Sequence, residues 1–146
     1  MMKKSMAAVV LGLSLAFGGV GGMIPFVPVP VVSANPYPAY LWGDSNYQRV
    51  YGHMGVGYYV DWSSEVLVSD RGKGPGNTQF SINVVSVNMN TNEVVGTKTY
   101  AYIENDSGAY VSIDGGGYNR FDPDSDMGAM QVVVQTYKLC MNDLYS

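Results

Sequence analysis

The stretch Gln79 to Glu104, QFSINVVSVNMNTNEVVGTKTYAYIE, constrains the fold more than any other part of this sequence. Val, Ile, Thr, Phe and Tyr crowd two arms, and Asn is concentrated between them at Asn90-Thr91-Asn92-Glu93. β-Branched and aromatic side chains suit a pleated surface, and Asn suits a turn. The pattern predicts a long β-hairpin. With those four residues as the loop, Met89 faces Val94, and Phe80, Ile82 and Val84 lie opposite Ile103, Ala101 and Thr99. Strand side chains alternate with period two, so these six share one apolar face. The other face collects Gln79, Ser81, Asn83, Lys98, Tyr100, Tyr102 and Glu104. Nearer the turn the pattern inverts, because Val85, Val87 and Met89 fall on the polar face. A β-bulge at Val84-Val85 restores a single apolar face, and so does a different turn length. The remaining alternative is that both faces are covered there.

Residues 1–34 read as a signal peptide. Lys3 and Lys4 lead an uncharged apolar run, Met6 to Val20, and Pro25, Pro28 and Pro30 stop any helix. Val32-Ser33-Ala34 then supplies the small residues that a signal peptidase requires, which places cleavage after Ala34. An uncleaved anchor is the alternative, since the stretch from Met6 to Val32 is long enough to span a bilayer.

Residues 35–146 are then a single secreted domain. That mature part carries six basic against twelve acidic residues, a net charge of −6. Nucleic acid and anionic membrane surfaces both call for basic patches, so neither is expected as a partner once the leader is gone. Cys140 is the only cysteine, so the fold rests on packing rather than on an internal disulfide. Paired lysines without disulfides point to a bacterial exported protein.

Around the hairpin, Asn35 to Asp44 reads as an extended arm leading in. Gln48 to His53, Gly57 to Trp62 and Glu65 to Ser69 are short strand candidates, and Arg71 to Thr78 (RGKGPGNT) is a loop by composition. After a turn at Asn105-Asp106-Ser107-Gly108, residues 109–113 and 118–121 form a shorter hairpin around Asp114-Gly115-Gly116-Gly117. Met127, Met130, Val134, Tyr137, Met141 and Leu144 are spaced as the stripe of an amphipathic helix, with Val133 and Cys140 widening it. The fold class that results is α+β: an antiparallel sheet of about five to six strands with one C-terminal helix packed on one face.

Few residues suggest chemistry. Asp122, Asp124 and Asp126 alternate like the opening of a calcium loop, but glycine comes at position 128 and Val133 stands where a bidentate glutamate is needed. Capping by Ser125 or Asp124 accounts for the same residues, and no metal or cofactor is expected. His53 is the only histidine, and Cys140 sits on the apolar edge of the helix stripe, where a buried small hydrophobe is the ordinary reading. Ser63 and Ser64 lack the glycines of a nucleophile elbow.

Tyr59-Val60-Asp61 with Ser63-Ser64, Ile82 to Asn88, Lys98-Thr99-Tyr100 and Tyr118 to Asp122 together resemble the surface-adhesin protein E family. That resemblance implies an α+β fold with an antiparallel sheet and a C-terminal helix, and a role at the cell surface contacting host extracellular proteins. The expected function is a secreted or surface-exposed, non-catalytic, adhesin-like module that contacts another protein. An envelope enzyme or enzyme inhibitor is the alternative. The docking residues expected from the hairpin register are Tyr100, Tyr102, Asn83 and Lys98, because tyrosines on an open sheet offer large contact area at low entropic cost.

Overall fold

A computed structural model describes residues 36–70 and 78–146. The expected leader, Asn35 and the stretch 71–77 lie outside the described residues. Strands β1 (Tyr47–His53), β2 (Val56–Asp70), β3 (Thr78–Asn88), β4 (Glu93–Asn105), β5 (Gly108–Ile113) and β6 (Asn119–Phe121) pair in sequential order in one antiparallel sheet. Among the described residues one α-helix, α1 (Gln131–Tyr145), follows a 3₁₀ turn at Gly128–Met130 and packs on one face. This is the α+β architecture that the sequence predicts. The two strand candidates at 57–62 and 65–69 form one 15-residue strand. Its register breaks between Asp61 and Val66, where the Ser64 hydroxyl takes a ladder position and accepts the Asn83 amide at 2.8 Å.

The central hairpin differs from its sequence reading by one residue. Its loop is Met89 to Asn92, with Asn88 facing Glu93. Asn88 dictates this, because its Oδ1 accepts the amides of Asn90 (2.9 Å) and Thr91 (3.2 Å). Asn92, at φ 61°, then turns the chain and donates its amide to the Asn88 carbonyl at 2.7 Å. Asn is well suited to both tasks. The bulge lies not at Val84-Val85 but in β4, where Val95 is the extra residue between the Ser86–Gly96 and Val87–Val94 pairs. Loop and bulge together slip the strands by one residue, so Phe80 opposes Tyr102 and Ile82 opposes Tyr100. A one-residue slip moves every side chain of a strand to the other face. Tyr100 and Tyr102 are therefore buried under the helix, and the expectation of an open face bearing both rings is overturned.

Both faces of the sheet carry apolar clusters. On the helix side Val60, Phe80, Ile82, Tyr102, Val111 and Phe121 pack against Val133, Val134, Tyr137 and Cys140. On the far side Leu41, Tyr59, Val85 and Val87 form a smaller cluster with Tyr47 and Met89. That second cluster exists because the N-terminal arm folds back rather than leading straight in. A 3₁₀ turn at Leu41–Gly43 places Leu41 in the cluster, Tyr40 bridges to Gln48, and the Trp42 indole donates to Asn92 Oδ1 at 2.9 Å. Gly52 admits the arm: a Cβ there would lie 2.4 Å from the Tyr37 ring.

The helix stripe holds from Val133 onward. Met127, the first residue of the expected stripe, precedes the helix and is 63% exposed. No side chain caps the helix, whose N-cap position is Met130. Ser125 and the aspartates shape the approach instead. Ser125 Oγ accepts the Met127 amide at 3.2 Å and Asp122 Oδ1 accepts the Asp124 amide at 2.9 Å. The capping role expected of Ser125 and Asp124 is corrected accordingly.

Candidate functional site

The slip that buries Tyr102 leaves Tyr100 at the boundary of the core. Its ring stacks on Tyr102 with centroids 6.4 Å apart, and its other side meets a cleft of about 500 Å³. The cleft lies between the sheet face of β2 to β5 and the N-terminal end of α1. Val84 and Tyr100 form the wall on the core side, and Ala129, Val132 and Val133 form the helical wall. Val95 and Ile113 stand at its mouth, 60% and 38% exposed.

Local sequence explains the opening. The extra residue in β4 pushes Val95 outward, and Gly96 beside it contributes no side chain, with open space within 4 Å of where a Cβ would be. Bulges commonly re-aim side chains in this way. Beyond Ile113 the chain turns through Asp114 at φ 53°, whose amide donates to the Thr99 carbonyl and whose Oδ1 accepts the Thr99 amide, both at 2.8 Å. These bonds hold the β5 end and its carboxylate at the cleft.

The polar groups of the cleft are Lys98, Asp114, Ser86, Thr97 and the phenols of Tyr58 and Tyr100. The Tyr100 hydroxyl is pushed above the usual phenol range, first by burial and then by the neighbouring Tyr58 and Asp114. It stays a neutral donor at physiological pH. An apolar trough with a few polar groups at its edge suits an apolar side chain or small ligand carrying a polar end.

Of the four docking residues expected from sequence, the structure brings Tyr100 and Lys98 together here. Tyr102 is in the core, with its hydroxyl bonded to the helix. Asn83 is on the opposite face, where its Oδ1 accepts the Thr99 hydroxyl at 2.7 Å. Sequence reasoning missed Val95, Gly96, Ile113 and the helical wall. The signal was the pair Val94-Val95 followed by Gly96, an apolar run that breaks alternation before a glycine.

The residues weighed for chemistry do not converge on this cleft. His53 is exposed at the end of β1 and stacks on Tyr51 at 6.0 Å. Cys140 is fully buried, and burial, with Glu65 and Asp143 beside it, pushes its thiol up. A thiol so held is a poor nucleophile. Among the described residues no group of three or more His, Cys, Asp and Glu side chains is placed to hold a metal ion. No helix among them is long and apolar enough to cross a membrane.

Comparison with known proteins adds no relative: no family model, curated protein or solved structure matches the chain.

Proposed function

We propose that this protein is an exported, non-catalytic binding module, adhesin-like in role, that engages another protein by seating one of its apolar side chains in the cleft beside Tyr100. The observation that carries the reading is the cleft itself, an apolar trough with Val95 and Ile113 exposed at its mouth. Exposed aliphatic side chains beside a preformed recess are the usual anatomy of an anchor pocket. Lys98 and Asp114 at the edge supply charges of both signs, which orient a partner more than they hold it. The resemblance to the surface-adhesin protein E family supports the same role, and the acidic mature chain favours a protein over a nucleic acid as partner.

Gly96→Leu tests this directly. A Cβ there meets nothing within 4 Å, and the longer side chain is expected to extend into the cleft that Gly96 lines. Proteins captured from cell-surface extracts by the wild-type domain should be lost from the variant, with the melting temperature unchanged. Identical capture by both proteins would sink the reading.

A further inference from the structure

We propose that the open half of β4 is a self-pairing edge, joining two copies of this chain by antiparallel contact of Glu93 to Lys98 with the same stretch of the second copy. β5 covers β4 only from Asn105 back to Tyr100, and two bonds from Asp114 extend that cover to Thr99. Among the described residues no strand pairs with Glu93 to Lys98 on that side. The whole stretch is exposed, and Val94 and Val95 stand 48% and 60% open. An apolar strand edge left unpaired is a template for a further strand.

The extra residue in β4 decides the register such a strand must take. Directly paired residues share a face of the sheet. Lys98 pairs with Val84, so it projects to the helix side. Val94 and Thr97 pair with Val87 and Val85, so both project to the far side. Gly96 and Glu93 pair with Ser86 and Asn88, which alternate with those valines and therefore lie on the helix side. Val95 lines the cleft on that side too. A two-fold axis between Val95 and Gly96 sets Glu93 opposite Lys98 of the second copy, Val94 opposite Thr97, and Val95 opposite Gly96. Every one of these pairs matches in face. An axis through Val95 or through Gly96 instead opposes residues of different faces.

The chemistry agrees with that register pair by pair. Glu93 and Lys98 carry opposite charges, and the two-fold brings them together twice. Nothing lies within 4 Å of where a Cβ on Gly96 would be, and the exposed Val95 of the second copy sits over that space. Thr99 shows which backbone groups of β4 face away from β3, since its amide and carbonyl both reach Asp114. Alternation turns the same groups of Thr97 outward, and the extra residue turns those of Val94 outward. Val94 and Thr97 oppose each other about the axis, so these groups bond between the copies.

Sedimentation velocity of the purified exported protein over a dilution series tests the pairing. A reversible monomer–dimer equilibrium with a dissociation constant in the micromolar range is expected, because so short an edge makes a small interface. Glu93→Lys and Lys98→Glu, both at exposed positions, each set like charges opposite and should weaken the dimer about tenfold or more. The double variant restores opposite charges in the same register and should dimerise as the wild type does. Amide exchange at Val94 and Thr97 should slow on dimerisation. A monomer at every concentration overturns the proposal, and so does a dimer indifferent to the single reversals or a double variant that fails to recover. Slow exchange at Val94 and Thr97 in a monomer also overturns it, because another segment of the same chain then occupies the edge. Self-association is read on the purified protein alone, so its failure leaves the capture test of the cleft standing.

Discussion

Tyr102 donates a hydrogen bond from its hydroxyl to the backbone carbonyl of Val133, 2.8 Å away, tying the middle of the sheet to the helix that covers it. Both residues are buried, and Phe80 stacks on the same tyrosine ring at 5.1 Å. Tyr102→Phe removes only the hydroxyl and should cost about 1 kcal/mol, the net worth of one buried hydrogen bond. Tyr102→Ser empties the ring's place and should cost about 3–5 kcal/mol, the range for a truncated core aromatic. Urea denaturation reads both as shifts in midpoint at constant slope. Equal losses in the two variants would contradict this division between packing and hydrogen bond.

Glu65 gives the fold a pH dependence. Its carboxyl is raised from 4.5 to about 7, first by burial and then by the neighbouring Asp143 carboxylate, and its Oε2 is buried with no hydrogen-bond partner among the described residues. The folded state thus holds a proton that the unfolded chain gives up. This contribution to stability is fully present below pH 4.5 and is lost as pH rises through about 7. Allowing for solvent screening, the loss amounts to about 1–2 kcal/mol. Glu65→Gln should flatten the stability profile between those pH values, as followed by urea midpoints. An unchanged slope would place the titration elsewhere.

Cys140 should be silent to thiol reagents. It is fully buried, and its thiol is pushed up by burial and by the Glu65 and Asp143 carboxylates. At pH 8 a disulfide reagent such as DTNB should label the native protein orders of magnitude more slowly than the urea-unfolded chain. Rapid labelling of the native state would mean that the C-terminal half of α1 opens readily.

The arm offers a third kind of test. Gly52→Val places a side chain where the Tyr37 ring sits, since even a Cβ there falls 2.4 Å from it. The arm must then lift from β1 and weaken the bond by which Tyr37 Oη accepts the Gly55 amide at 2.7 Å. A cost of about 1–3 kcal/mol is expected, together with earlier proteolytic cleavage between residues 36 and 46. Gly96→Val adds a side chain in open space and serves as the control.

Much of this architecture was legible in the sequence. The strands, the turn at Asn105–Gly108, the glycine turn after Ile113 and the helix all follow from alternation, turn residues and a 3.6-residue period. Register was not legible, for a specific reason. Apolar residues stand at both parities of β3, with Phe80, Ile82 and Val84 on one face and Val85 and Val87 on the other. Period two alone cannot then say which face of β4 meets which. Asn88 settles it through two side-chain bonds that fix the loop, and Asn90 and Asn92 offered the same residue type nearby. Lys98 and Tyr100 were found and the rest of the cleft was not. Its helical wall comes from residues about thirty positions further along the chain, which no local pattern connects to β4.

The sequential order of the sheet sets how the chain assembles. Every strand finds its partner in the next one along, across turns as short as Met54-Gly55 and Asp106-Ser107, so the hairpins close without long loops to order first. The helix is the exception: it is last in the chain and must meet strands as early as β1, packing on Val50 as well as on Phe80 and Phe121. A chain in which α1 has not yet docked therefore carries a nearly complete sheet with one apolar face uncovered. Docking of the fifteen residues of α1 covers that apolar face, which in an undocked sheet would be the surface prone to aggregate.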